Sequence, residues 1–149
     1  MTTKIEMIQE IEASRSILSR LLRVSPLAML VATVSNLGLY SAAGRLFPEV
    51  SAWSGAGPGQ IVGANIVYLI AGAIVFALVA RFSSRPARHF LIIATVGLLL
   101  SLWLPLSAAF GYGPPGTPAA SVVTAVTLSL MHVISFLITV PLFIRLALD

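Results

Sequence analysis

The chain has 149 residues, of which 58% are hydrophobic and 9% are charged, with a net charge of +4. An ordinary soluble domain carries about a quarter charged residues, so this composition excludes a water-soluble fold and predicts a protein that lies in a lipid bilayer. The absence of cysteine excludes disulfide scaffolds, cysteine nucleophiles and thiolate metal sites.

The first 24 residues are predicted to form an amphipathic helix on the cytoplasmic side of the membrane. Thr3 and Glu6 have the spacing of a capping box, which marks the start of a helix. Five apolar residues of this segment fall within one arc of a helical wheel: Met7, Ile11, Leu18, Leu21 and Leu22. Such a helix either lies on the membrane surface or docks onto a partner subunit. We expect residues 1–24 to form one unit and residues 25–149 to form the transmembrane domain.

Four apolar stretches are each long enough to cross about 30 Å of hydrocarbon, which takes about 20 helical residues. They cover residues 27–47, 60–80, 90–110 and 120–144. The connections between them are short, so neighbouring helices must run antiparallel. The sequence therefore predicts an all-α, integral membrane four-helix bundle of up-down-up-down topology. Proline residues at positions 105 and 141 are predicted to kink the third and fourth helices.

The basic residues indicate how the bundle is oriented. Eight of the nine flank the spans on one side, among them Arg81, Arg85 and Arg88 in the middle loop. Because positive charge accumulates in cytoplasmic loops, both termini are predicted to be cytoplasmic, and these three arginines are predicted to contact anionic lipid. Arg45 alone lies on the outer side, where it snorkels to the interface, pairs with Glu49 or attracts anionic groups.

The fourth span carries a polar face. Six residues share this face on a helical wheel: Ser121, Ala125, Ser129, His132, Ser135 and Thr139. His132 lies near the middle of the membrane, where an ionisable group is costly. Three roles stay open for it: an interhelical hydrogen bond, a ligand, quinone or proton-relay site, and metal or haem ligation. Shared haem ligation with His89 is disfavoured because the two lie about 18 Å apart in depth.

Two asparagines in the first and second spans are also predicted to face the bundle interior. They either hold helices together or line a ligand site, and we expect Asn36 to form a hydrogen bond with His132 because the two lie at similar depth. The candidate interhelical or ligand-binding site consists of five residues: Asn36, Asn65, Ser129, His132 and Ser135.

Catalytic motifs are missing from the sequence. It contains no H-E-x-x-H, G-x-S-x-G or P-loop pattern, and no acidic residue falls within a predicted span. We therefore expect no enzymatic activity, no cofactor and no metal site.

Four stretches of the chain are similar to a family of small four-helix bacterial membrane proteins that is classed as a domain of unknown function. They are NLGLYSAAGR at 36–45, RPARHF at 85–90, SLWLPL at 101–106 and MHVISFLITVPLFIRL at 131–146. The similarity covers residues 26–145 and leaves the N-terminal segment as an extension. The resemblance implies an integral membrane protein of bacterial origin and no particular activity. It marks Asn36, Arg45 and His132 as recurrent polar positions.

Two functions fit these patterns. The first is a binding or accessory subunit of a membrane complex, with the lipid bilayer, other membrane subunits or a second copy of the chain as partners, and no nucleic acid. The second is a site or transport route for a lipophilic small molecule or quinone around His132. Either protein would lie in the bacterial cytoplasmic membrane. A cavity of a few hundred Å³ beside His132 favours the second function.

Overall fold

The structure is a computed structural model that describes the backbone of residues 4–113 and 115–148 and the side chains of residues 16–113 and 115–148. Within these residues all regular structure is helical. The helices are α1 (Lys4–Leu46), α2 (Pro48–Ala52), α3 (Pro58–Phe82), α4 (Pro86–Ser101), α5 (Trp103–Ala109) and α6 (Val122–Leu148).

Four helical stretches of the described chain are long and apolar enough to cross a membrane. They are Ser16–Leu46, Pro58–Phe82, Pro86–Ala109 and Val122–Leu148. Each predicted span overlaps one of them, which confirms the predicted all-α bundle with four spans. The protein is therefore a multi-pass membrane protein.

Helix α1 is longer than the sequence suggests. It runs from Lys4 to Leu46 as one element of 43 residues, with Pro26 inside it. A proline removes one helical hydrogen bond but does not have to end a helix in a membrane protein, because neighbouring helices compensate. At 1.5 Å per residue α1 is about 65 Å long, about twice the hydrocarbon thickness. The predicted domain boundary after residue 24 stays a prediction.

The structure describes only some of the features that were predicted for the N-terminal segment. Thr3 and the side chain of Glu6 lie outside the described residues, as do the side chains of Met7 and Ile11. Farther along the predicted apolar arc, Leu21 is buried against the bundle, whereas Leu18 and Leu22 are exposed.

Helix α1 packs along both α3 and α6, and α4 packs against α3 and α6. The helices alternate in direction, so α1 begins and α6 ends at the same end of the bundle. We name it the basic end, since Arg81, Arg85 and Arg88 lie there. Its core contains three phenylalanines, Phe76, Phe90 and Phe143, which we name the aromatic cluster.

The opposite end is covered by α2 and by the chain that follows α5, and we name it the capped end. Trp53 is buried there and donates a hydrogen bond from Nε1 to the carbonyl oxygen of Pro118 at 2.8 Å. Its ring lies so close to Gly55 that a Cβ at that residue would stand 2.3 Å from it. The hydroxyl of Tyr40 donates to the carbonyl of Ala56 at 3.3 Å. These contacts fix the cap onto α1 and onto the segment that leads into α6.

The third span is interrupted at Leu102, which lies between the last residue of α4, Ser101, and the first residue of α5, Trp103. Pro105 lies one turn farther on and has no N–H to donate to the carbonyl of Ser101. The interruption therefore occurs where the sequence predicts a kink. In contrast, α6 continues through Pro141 from Val122 to Leu148.

Candidate intramembrane binding cleft

Three polar side chains from three helices meet in the middle of the bundle. Asn36 of α1 donates from Nδ2 to Oδ1 of Asn65 on α3 at 3.1 Å and to Oγ of Ser135 on α6 at 2.9 Å. The hydroxyl of Ser135 donates in turn to Oδ1 of Asn65 at 3.3 Å. We name this closed arrangement the polar triad. It ties α1, α3 and α6 together at one depth.

Both amide hydrogens of Asn36 form hydrogen bonds in the triad, but the amide oxygen of Asn36 and the amide nitrogen of Asn65 form none with the residues that the structure describes. In the described part of the chain, Oδ1 of Asn36 and Nδ2 of Asn65 are enclosed and have no hydrogen-bond partner, and the same holds for Oγ1 of Thr139. Asn36 and Asn65 are only 3% and 6% exposed. An unpaired polar group away from water costs several kcal/mol in hydrocarbon. The polar triad is therefore an incomplete network, with one acceptor and one donor left over.

The predicted hydrogen bond between Asn36 and His132 is wrong. His132 instead pairs through Nδ1 with the carbonyl oxygen of Leu128, one turn back on its own helix, at 2.8 Å. Asn36 meets Ser135, which lies about one turn farther along α6 than His132. The imidazole is half-buried and lies beside Tyr68 of α3, with the ring centroids 6.4 Å apart.

A cleft of about 540 Å³ opens beside the polar triad. Its walls come from α3, α4 and α6, with Asn36 of α1 also in its lining, and nearly all of its surface is apolar. Asn65, Ser135 and His132 line it together with Tyr68. The structure thus brings four of the five predicted site residues to one cavity.

Helix α4 forms one wall of the cleft because it is buried against the bundle only near its start. Phe90 is its one buried residue, and the next buried residue along the chain is Pro105 in α5. Between them, five residues of α4 line the cleft, of which three are small: Ala94, Gly97 and Ser101, together with Ile93 and Leu98. A Cβ at Gly97 would meet nothing within 4 Å. The three small side chains of α4 are therefore too short to fill the space beside them in the middle of the bundle.

A family model matches residues 16–148 of the chain. The chain belongs to the family of unknown function DUF6069. The match confirms the resemblance seen in the sequence and starts ten residues earlier, so residues 16–24 of the N-terminal segment are part of the DUF6069 region. No curated protein matches this DUF6069 chain. No solved structure matches it either.

Ser129 is the predicted site residue of this DUF6069 protein that the structure does not bring to the cleft. Its hydroxyl donates to the carbonyl of Ala125 at 2.8 Å, within its own helix. Thr139 was predicted on the polar face of the fourth span and lines the cleft. Tyr68 and the small residues of α4 also line it but were not among the predicted site residues. The spacing of Ala94, Gly97 and Ser101 by three or four residues is the signal in the sequence that points to them.

The predicted surface arginines lie at the two ends of the DUF6069 bundle, away from the cleft. Arg45 is exposed in the last turn of α1, near the capped end, and Arg81, Arg85 and Arg88 are exposed at the basic end. Beside them, Oγ of Ser83 forms a hydrogen bond with Nδ1 of His89 at 2.6 Å. Contact of these arginines with anionic lipid stays a prediction. Within the described residues no group of three potential metal-binding side chains is found.

Proposed function

We propose that the protein binds a lipophilic small molecule from the bilayer in the cleft beside the polar triad. The observation that carries the proposal is the combination of about 540 Å³ of mostly apolar cavity with a few polar groups at one depth. Ligand sites in proteins typically have volumes of roughly 300–1,000 Å³ and this same composition.

The incomplete hydrogen bonding of the triad supports a polar ligand group or an ordered water in the cleft. In hydrocarbon, Oδ1 of Asn36 and Nδ2 of Asn65 find no solvent to satisfy them. If the triad only joined the helices, a network without unpaired polar groups would do so equally well. A polar group that enters the cleft and rearranges the amides supplies the missing partner.

The cleft can be filled by a substitution that leaves the helices in place. We expect Gly97→Leu to occupy it, because nothing lies within 4 Å of a Cβ at Gly97. Gly63→Leu is the matched control: a Cβ at Gly63 also meets nothing within 4 Å, but Gly63 lies outside the cleft lining. Each variant is extracted with native lipid, and the molecules that remain bound are identified by native mass spectrometry.

We expect the unaltered protein and Gly63→Leu to retain the same lipophilic molecule, and Gly97→Leu to lose it. Retention of that molecule by Gly97→Leu would contradict the proposal, as would the recovery of no bound molecule from the unaltered protein. The subunit hypothesis predicts another outcome, in which a partner protein co-purifies with all three chains and no small molecule is retained.

We further propose that the protein lies in the cytoplasmic membrane of a bacterium, with the basic end in the cytoplasm. The support is the exposure of Arg81, Arg85 and Arg88 at one end, set against Arg45 near the other. Because the chain has no cysteine, single-cysteine variants test this directly. A maleimide that cannot cross membranes is expected to label Ser54→Cys in intact cells but Ser84→Cys only after permeabilisation. The reverse pattern would place the basic end outside.

A further inference from the structure

The hydrogen bond made by His132 defines what the ring offers to a ligand, and this step rests on the proposed function of the cleft. The partner of Nδ1 is the carbonyl oxygen of Leu128, at 2.8 Å. A carbonyl oxygen accepts hydrogen bonds and never donates them, so Nδ1 carries the proton in the neutral ring. Nε2 is then a free acceptor, because the described part of the chain supplies it with no partner.

The polar triad adds no comparable donor on the cleft wall. Both amide hydrogens of Asn36 and the hydroxyl hydrogen of Ser135 are already used within the triad. Nδ2 of Asn65 is unused but enclosed, so it can donate to a ligand only after the amides rearrange. The ring of His132 is half-buried and lines the cleft. Tyr68 lies beside His132 in the lining and adds a hydroxyl that can either donate or accept. Nε2 of His132 can only accept in this form of the ring, so a ligand that pairs with it carries a donor.

The cleft extends unequally on the two sides of this acceptor. Along α3 its lining continues from Asn65 to Val75, about 15 Å toward the basic end, and from Asn65 back to Gln60, about 8 Å toward the capped end, where Gly55 and Ala56 of the cap also line it. The longer arm ends against Phe90 and Val140, and its lining is mostly apolar, with Thr139 as a polar exception. Its length fits one extended hydrocarbon chain.

We propose that the ligand is a lipid alcohol with a single chain. Its hydroxyl group donates a hydrogen bond to Nε2 of His132, and its chain lies in the arm that points to the basic end. The inference names the class of ligand for the cleft and predicts its orientation. A ligand with a carbonyl or ether oxygen in place of the hydroxyl lacks the hydrogen that the ring requires.

The test uses the full chain in phospholipid nanodiscs and a dodecanol photoprobe with a diazirine near the end of its chain. Unlabelled 1-dodecanol, dodecyl methyl ether and dodecane compete with the probe. Dodecanol is expected to compete about three- to tenfold better than the ether, since a net hydrogen bond of about 1 kcal/mol corresponds to that range. Crosslinks are expected on the arm at the basic end, near Ala94, Phe136 or Val140.

Substitutions at His132 test the hydrogen bond to the hydroxyl group of the ligand separately from the packing of its hydrocarbon chain. His132→Phe keeps a flat ring without an acceptor and is expected to abolish the preference for dodecanol over the ether. His132→Gln keeps an acceptor near the position of Nε2 and is expected to restore part of that preference. His89→Phe at the basic end is the matched control and is expected to leave the preference unchanged.

Three outcomes overturn the proposal in different ways. Equal competition by dodecanol and its ether, or a preference that survives His132→Phe, removes the hydroxyl assignment while leaving the cleft as a binding site. Crosslinks near Gly55 and Gln60 reverse the orientation of the chain. If Gly97→Leu abolishes none of the crosslinks, the cleft binds no such molecule, and the proposed function fails as well.

Discussion

The two ends of the bundle and its middle differ in how the space beside α4 and α5 is filled. At the basic end, Phe90 of α4 packs edge-on against Phe76, with ring centroids 4.9 Å apart, and both contact Phe143. At the capped end, the ring of Trp53 packs with Ala108 of α5 and Ala120. In the middle, three of the five α4 residues that line the cleft between Phe90 and α5 are small, and the cleft remains open.

This difference shows that rigid ends can hold a cavity open in a helix bundle. Aromatic side chains bridge the distance between helices at both ends, so α4 cannot close onto its neighbours without displacing them. The middle is joined through the polar triad, whose hydrogen bonds connect α1, α3 and α6 but do not include α4. We therefore expect stability to depend on the ends and ligand binding to depend on the middle.

The largest loss of stability is expected from Phe143→Ala. The ring of Phe143 is 0% exposed and lies in contact with two other rings, so its removal leaves a cavity in the aromatic cluster. A loss of about 3 kcal/mol or more in the free energy of unfolding is expected. The measurement is unfolding of the protein in mixed micelles by an increasing fraction of denaturing detergent.

Phe110→Ala is the matched control for this change, because Phe110 is 79% exposed to the surroundings. A change of less than about 0.5 kcal/mol is expected there. Equal losses for the two variants would show that the aromatic cluster does not hold the basic end together, and the contrast between ends and middle would then be lost.

A smaller loss is expected from Gly55→Ala at the capped end. The added Cβ would lie 2.3 Å from the ring of Trp53, and the hydrogen bond from Trp53 to Pro118 restrains that ring. Overpacking of this kind costs about 1–3 kcal/mol and is measured as a lower midpoint of thermal unfolding. Gly63→Ala meets nothing within 4 Å and is expected to be neutral or stabilising by up to about 1 kcal/mol. A midpoint for Gly55→Ala at or above that of Gly63→Ala would mean that the cap is loose.

The fold could be predicted largely from the sequence, because an apolar run of about 20 residues has few alternatives to a spanning helix. The inward orientation of Asn36, Asn65 and Ser135 was also predictable, since polar side chains avoid lipid. Their exact pairing was not. The register between two helices depends on the connections at their ends, and a difference of about one turn along α6 replaces His132 by Ser135 as the partner of Asn36.

The cleft itself could not be predicted from the sequence. It results from the distance between α4 and the other helices, which the aromatic cluster and the cap determine together. Among the residues of α4 that line it, Ala94 and Gly97 do not stand out in an apolar helix. The continuity of α1 was missed for a related reason. Pro26 and the arginines before it resemble a boundary, whereas the backbone remains helical through them.

The smallest effect is expected in the middle of the bundle, from the coupling between Asn36 and Asn65. Hydrogen bonds between helices in membranes contribute on average about 0.6 kcal/mol, with a maximum of about 1.7, because the unfolded chain in lipid also finds partners. A double-mutant cycle with Asn36→Ala and Asn65→Ala is expected to give a coupling free energy in that range. Asn36→Ala combined with Thr95→Ala is the control cycle, since Thr95 is exposed on α4 and donates to Leu91 of its own helix.

The control cycle is expected to be additive within about 0.5 kcal/mol. A coupling between Asn36 and Asn65 that is no larger than the control would show that the two amides do not meet in the membrane. A coupling as large as the loss caused by Phe143→Ala would reverse the comparison. The polar triad would then hold the helices together, and its leftover amide groups would be a cost to stability that the protein accepts for binding.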